Sequence, residues 1–295
     1  GTQAIRCGDA DVVLAGGMES MSRVPYALPG ARWGQRMGDG ELVDLLIYDG
    51  LHEYFYGYHM GMTAENIAAA YGISRTEQDE LGVQSHNRAL AAIKDGLFDD
   101  EIVEILVPQR KGEPVSYTVD ERPMETSLEK MGRLRTAFKK DGSVTAGNAS
   151  GINDAAAALL LMAEEKARDL GVQPLAKIKA IGKGSCHPSI MGLSPVPAVA
   201  DLSKRSGIKL ADFELIEINE AFAAQYLGCE KELNLNREIT NVNGSGIGLG
   251  HPVGATGARI MITLLYALDR KKKNLGLATL CGGGGVSMAC AIELG

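Results

Sequence analysis

The sequence predicts an α/β fold in which helices cover the faces of a mainly parallel sheet. Three observations lead there. Apolar runs of strand length recur and end in glycine, as at 11–17 and 275–285. Stretches of helix length lie between them, so strand and helix alternate. Of the 295 residues, 45% are hydrophobic and 23% charged, enough apolar side chain for a sizeable core. That length corresponds to about two domains or one large α/β unit.

Taken in order, residues 2–8 read as the end of a helix stopped by Gly8. Residues 11–15 (DVVLA) read as a buried parallel strand closing on Gly16 and Gly17. Residues 23–62 look irregular. Ser74 and Glu77 have capping-box spacing before a helix running to Asp95. Residues 101–107 alternate as a half-buried strand does, and the polar, basic stretch 111–140 reads as a surface loop. The Ala/Leu-rich stretch 154–170 predicts a helix stopped at Gly171. Beyond it come a strand at 176–181, a helix at 198–206, a strand at 214–218 leading to a helix from Glu220, and a strand at 239–242. A glycine loop, a helix at 257–269 and strands at 275–280 and 286–294 complete the chain. The glycine-ended strands at 14–17 and 281–284 fit either a duplicated unit or chance recurrence.

Composition excludes several function classes. A net charge of −7 supplies no field to gather nucleic acid, and 5% aromatic residues supply few base-stacking platforms. No apolar run reaches the roughly 18 residues of a membrane span. Cys7, Cys186, Cys229, Cys281 and Cys290 contain no Cys-x-x-Cys pair, so neither a metal site nor a disulfide framework is expected. Free thiols point to a reducing, cytoplasmic setting.

Three segments place reactive groups just past strand ends, where open α/β sheets bind ligands. Asn219 and Glu220 follow LIEI. They read as a helix cap or as polar site residues. His251 lies in NGSGIGLGHPVGATG, where glycines let backbone approach a ligand and the imidazole suits proton transfer. Neither Walker nor Rossmann spacing is present, and a structural turn remains the competing reading. Cys281 precedes four glycines and reads as an acid/base thiol beside oxyanion-binding amides, or as a small residue at a tight hairpin. His86 reads as solvated on a polar helix, and Cys186, Cys229 and Cys290 as packing residues.

Together NEAFA, NGSGIGLGHPVGATG and CGGGG resemble the C-terminal signatures of the thiolases. LAGGMESMS at 14–22, YGYHMGMTAEN at 56–66 and TAGNASGINDAAAA at 145–158 extend the resemblance over essentially the whole chain. It implies a layered αβαβα thiolase fold with two related mixed sheets. Residues 1–22 and 153–172 would form an incomplete N-terminal half, 23–152 an inserted CoA-binding loop domain, and 173–295 the C-terminal half. The YGYHMG segment and Met191-Gly192 look like the short-chain, acetoacetyl-CoA type. The implied reaction is reversible Claisen condensation of two acetyl-CoA through an acyl-cysteine, with coenzyme A as substrate and product and no permanently bound cofactor.

By the same resemblance, Cys281 would be the acid/base and His251 would activate the nucleophile and bind the thioester oxygen. Asn219 would hold a water of that oxyanion hole, and the Gly283 amide would serve a second. Leu51, His59, Met60, Phe138, Ala146, Ser150, Ala221 and Phe222 would line the pantetheine tunnel, Arg122 would lie near the nucleotide, and Met191 would close the acyl pocket. Arg133, Arg135, Lys139 and Lys140 read as phosphate attractors or as a solvated basic loop. A homo-oligomer, dimer or tetramer, is expected. The family's nucleophilic cysteine would precede Gly1 and Cys7 does not replace it. The expectation is therefore a thiolase lacking its N-terminal portion, inactive alone, with any targeting signal upstream and its nucleophile supplied by a separate chain in the split case. The competing readings are a CoA-binding or assembly protein on this scaffold, a degradative 3-ketoacyl-CoA thiolase, and a ketoacyl synthase, which would lack Cys281 and its glycines.

Overall fold

A computed structural model describes residues 1–295. The chain opens with helix α1 (Thr2–Arg6) and strand β1 (Val12–Ser20). The irregular stretch that follows holds the two-residue hairpins β2 (Tyr26–Ala27) with β3 (Val43–Asp44), and β4 (His52–Glu53) with β5 (Tyr58–His59). Helices α2 (Gly61–Tyr71) and α3 (Arg75–Lys94) come next, then the small hairpin β6 (Ile105–Val107) and β7 (Val115–Tyr117), and helix α4 (Leu128–Gly132). Strand β8 (Asp154–Met162), helix α5 (Glu164–Asp169), strand β9 (Ala176–Ser185) and helix α6 (Pro195–Ser206) lead into strand β10 (Leu215–Ile218) and helix α7 (Ala223–Leu233). The chain closes with the single turn α8 (Gly246–Leu249), helix α9 (Thr256–Lys271) and strands β11 (Leu275–Gly282) and β12 (Val286–Leu294).

Five layers stack. Helix α6 packs on one face of a four-stranded sheet ordered β10-β11-β12-β9, and α9 packs on the other. The far side of α9 meets the β1–β8 pair, and α1 covers that pair from outside. Alternation along the strands divides the core. Ile216, Leu277 and Ala291 face Val199 and Leu202 of α6, whereas Leu215, Ala278 and Ile292 face Ile260, Leu264 and Leu268 of α9. Each such leucine or isoleucine, fully buried, contributes about 1.5–3 kcal/mol. Gly182 and Gly184 of β9 let α6 approach so closely that a Cβ at either would enter the backbone around Ala198. A third cluster, built on α2 and α7, contains Cys281.

Several sequence expectations change. Residues 154–162 are strand, not helix: β8 pairs antiparallel with β1 over nine residue pairs, Val12 opposite Met162 through Ser20 opposite Asp154. Alanine favours helix by only a few tenths of a kcal/mol per residue, which this ladder outweighs. Its small side chains also suit the site, because a Cβ on Gly16 would strike the Ala157 carbonyl. Only α5 of the expected helix remains, ended by Gly171 at φ +65°. β1 is accordingly antiparallel, half-exposed, and runs straight through Gly16 and Gly17.

The main sheet is mostly antiparallel. β10 pairs parallel with β11, but the tight turn at Gly283–Gly285 reverses the chain, so β12 runs against β11 and β9 against β12. Residues 239–242 give a single bridge, Thr240 to Ile216, since the Asn241 side chain takes the ladder's place. It accepts from the Ile218 N–H at 2.9 Å and donates to the Ile218 carbonyl at 2.9 Å. The strand expected at 101–107 shrinks to exposed β6, and α2 lies partly in the stretch read as irregular. The Ser74–Glu77 capping box and the end of α3 at Asp95 are as expected. His86 is buried rather than solvated, with its Nδ1 3.4 Å from the Met124 N–H. No helix is long and apolar enough to cross a membrane.

Candidate active site

Two parallel strands aim their ends at one place. Ile218 and Thr279 are in register on β10 and β11, and the Asn219 N–H donates to the Thr279 carbonyl at 3.1 Å. Asn219 therefore leaves β10 beside the last residues of β11, where Cys281, two residues beyond Thr279, pairs with Ser287. Helix α7 starts only at Ala223, so Asn219 is not its cap. Its side chain is fully buried, and neither its amide nitrogen nor its oxygen has a partner within the chain. A buried amide in that state costs about 1–3 kcal/mol, and here it stands ready for a group from outside the polypeptide.

The glycine loop is tied down from behind. Ser85 of α3 donates to Glu220 Oε2 at 2.6 Å and accepts from the Gly248 and Ser245 N–H groups at 2.9 and 3.3 Å. Glu220 also accepts from Asn241 at 3.0 Å and from the Ile247 N–H at 3.2 Å. Cβ atoms on Gly246 or Gly248 would lie 2.7 Å from Asn219 Oδ1 and 2.6 Å from the Ser85 carbonyl, so this close passage admits only glycine.

His251 follows directly. Its Nδ1 lies 2.7 Å from Thr256 Oγ1, and that hydroxyl donates its one proton to the Pro252 carbonyl at 2.9 Å. The hydroxyl must then accept from the ring, so the proton sits on Nδ1 and Nε2 keeps its lone pair. Burial, helped by the charge of Arg259, pushes the imidazole down to about 4, so it is neutral near pH 7. The Asn153 side chain packs against Gly250 with its buried Oδ1 unpartnered.

Burial pushes the Cys281 thiol up to about 12, keeping it protonated at rest. The turn beyond it is backbone alone: Gly284 and Gly285 have φ +75° and +85°, and a Cβ on Gly283 would lie 3.0 Å from Met60 Cε. This set of groups can hold a proton, move it and stabilise an oxyanion.

An apolar wall stands beside them. Cys281, Met191, Ala221, Phe222 and Ala149 share one buried cluster, against which Met60 and Phe138 pack. The Phe138 ring stacks on His59 at 4.4 Å and meets Phe222 edge-on at 6.1 Å. The 136–150 loop is fastened to the segment after Asn219 by Ser150 N–H to the Ala221 carbonyl at 3.0 Å and Ala223 N–H to the Asn148 carbonyl at 2.8 Å. Leu51 supports this wall by accepting from the Met60 N–H at 2.8 Å, and Ala146 is exposed on the loop. Arg122 points inward against Gly151, donating to the Ala149 carbonyl at 3.3 Å. Arg133, Arg135, Lys139 and Lys140 are exposed. A cavity of about 880 Å³ between β8, β9 and α9 lies apart from all of these residues. Ser85, Asn153, Thr256 and Arg259 escaped the sequence reading. Of these only Thr256 has a local signal, its place in the motif five residues after His251.

The family description "Thiolase, N-terminal domain" matches residues 1–165, and "Thiolase, C-terminal domain" matches residues 172–294. The chain belongs to the thiolase family. An acetyl-CoA acetyltransferase of Chromobacterium violaceum is 54% identical over 292 residues, spanning 99% of this chain and 74% of the relative. The crystal structure of the Bacillus anthracis acetyl-CoA acetyltransferase superposes with a TM-score of 0.95 at 49% identity, covering 99% of this chain and 74% of that one. Human mitochondrial 3-ketoacyl-CoA thiolase gives the same TM-score and coverages at 42% identity. This member of the thiolase family is thus an acyltransferase with the thiolase fold.

Proposed function

We propose that this thiolase acts in the reversible Claisen condensation of two acetyl-CoA to acetoacetyl-CoA, with coenzyme A as substrate and product. The observation that carries the reading is the unpaired amide of Asn219, the fixed tautomer of His251 and the protonated Cys281, gathered around the ends of β10 and β11 beside an apolar wall. In thiolysis the Cys281 thiol gives its proton to the departing acetyl carbanion. In condensation it first gives its proton to the CoA thiolate that departs as the acyl-cysteine forms, and the resulting thiolate, a strong base because of its burial, takes a methyl proton from the second acetyl-CoA. His251 Nε2 accepts a proton from an attacking thiol and then, as N–H, donates to the thioester oxygen beside a water held by Asn219. The Gly283 N–H serves the second oxyanion.

Leu51, His59, Met60, Phe138, Ala146, Ser150, Ala221 and Phe222 line the path of pantetheine, and Met191 limits the acyl chain. Arg122 acts by bracing the loop at Ala149 rather than by meeting the nucleotide directly. In this reading residues 1–22 and 153–172 make one half, 173–295 the other, and 23–152 the insertion, in an enzyme that works as a homo-oligomer.

Turnover also needs an acyl-accepting thiolate. Cys229 is sealed in the core with its thiol raised by burial, Cys186 donates to the Ile190 carbonyl, Cys290 lies on β12, and Cys7 is exposed after α1. We infer that these 295 residues bind acyl-CoA but do not turn it over by themselves. The test is acetoacetyl-CoA thiolysis with the chain's mass verified, together with calorimetry of acetyl-CoA. Binding without loss of enolate absorbance is expected. Rapid loss overturns the inference about turnover, and no binding at all overturns the site.

A further inference from the structure

Four of the ten buried side-chain atoms without partners belong to one cluster the reaction does not use, Arg259, Glu217 and Glu101. Arg259 lies on α9 three residues after Thr256, on the same helix face as the hydroxyl that holds His251. Its side chain is 19% exposed, and Nη1 and Nη2 have no hydrogen-bond partner. Glu217 Oε2, on β10 two residues before Asn219, lies 4.0 Å from Nη1 and is itself unpartnered. Glu101, from the loop after α3, accepts from Thr263 one turn further along α9 at 3.2 Å and leaves its own Oε2 unpartnered. One guanidinium therefore shares the α9 face behind the His251–Thr256 pair with two carboxylates, buried Glu217 and half-buried Glu101.

We propose that Arg259 is a positioning residue for His251: its guanidinium adds to burial in keeping the imidazole neutral, and the Glu217 and Glu101 carboxylates regulate how much of that charge the ring feels. Burial raises Glu217 to about 8 and Glu101 to about 7, with Arg259 pulling both back down. Well below pH 7 both are protonated and the guanidinium acts on His251 uncompensated. Across pH 7–8 their ionisation offsets it.

Most of the other groups facing this cluster have their own engagements. Glu220 is held by Ser85 and Asn241. Arg88 is spent on the carbonyls of Arg237, Thr240 and Asn241, and Arg270 on the Leu97 carbonyl and Asp100. Asp120 faces Arg259 from the 118–126 loop with its carboxyl raised by burial. Although its interest rests on the reading of His251 as the proton-handling group, the measurement reads the imidazole itself and survives if that reading fails.

The test is an NMR pH titration of the full chain with 15N-labelled histidine, the His251 signals assigned by loss in His251→Gln. Arg259→Gln should raise the His251 midpoint by about one pH unit, while Arg259→Lys leaves it near its original value. The unmutated chain should also show a second, smaller displacement of the His251 signal between pH 7 and 8, absent in Glu217→Gln. That step keeps the idea testable even if Arg259→Gln does not fold. A folded Arg259→Gln with an unmoved midpoint, equal shifts in the Lys and Gln variants, or an unmutated signal flat from pH 7 to 8 would each overturn it.

Discussion

Ser85→Ala isolates the knot behind the glycine loop. The hydroxyl donates to Glu220 Oε2 at 2.6 Å and accepts from the Gly248 and Ser245 N–H groups at 2.9 and 3.3 Å, all within fully buried surroundings. Removing it leaves two buried N–H donors without their acceptor and strips one donor from the carboxyl. Replacing a buried hydrogen-bonding partner costs about 1–3 kcal/mol for each group orphaned. The 3.3 Å bond is weak, and Glu220 retains Asn241 and the Ile247 N–H, so the sum is about 3 kcal/mol rather than the upper limit. For a chain of this size that lowers the melting temperature by about 6–12 °C. Urea unfolding followed by circular dichroism measures it, with Ser116→Ala on the exposed β6–β7 hairpin as a control near zero. A loss below about 1 kcal/mol, with the slope of the transition unchanged, would mean that the loop holds its shape without this tie and that the argument is wrong.

The remaining predictions concern packing, protons and thiols. Gly184→Ala should destabilise the fold by about 1–3 kcal/mol, read by the same unfolding assay, because the new methyl enters the α6 backbone. His86 takes its proton near pH 4 in the fold but near 6.5 when unfolded. Below 6.5 the unfolded chain therefore binds a proton that the native chain refuses. The stability contributed by neutral His86 is present above 6.5 and is lost as pH falls toward 4. His86→Gln should flatten that decline, and an unchanged slope between pH 6.5 and 4 would count against it. In timed alkylation at pH 8 read by mass spectrometry, exposed Cys7 should react well before Cys281, whose thiol is buried and held near 12. Simultaneous labelling of the native chain would contradict the burial of Cys281.

Asn219, His251 and Cys281 were visible in the sequence because each lies at an apolar strand's end or in a glycine-rich run, a local pattern with a local cause. The capping box at Ser74 and Glu77 was legible for the same reason. Residues 154–162 were not, because an alanine run states only propensity, while its partner strand β1 lies about 140 residues earlier and nothing local announces the pairing. The parallel-sheet expectation failed at Gly283–Gly285, where four consecutive glycines mark a turn without giving its direction. Least legible were Ser85, Asn153 and Arg259. Each is ordinary in its own segment and gains meaning only from Glu220, Gly250 or Glu217, which arrive from distant parts of the chain.

The Ser85 knot also fixes how this part of the molecule opens. Because one hydroxyl joins α3 to the loop and one carboxylate joins the loop to the end of β10, none of the three can detach while the others stay sealed. The backbone amides of Ile247 and Gly248 should therefore exchange with deuterium in step with the middle of α3, as one cooperative unit, although about 160 residues separate them along the chain. Fluctuations that expose the glycine loop to water are in that sense openings of α3, and whatever steadies α3 lengthens the lifetime of the closed state around His251.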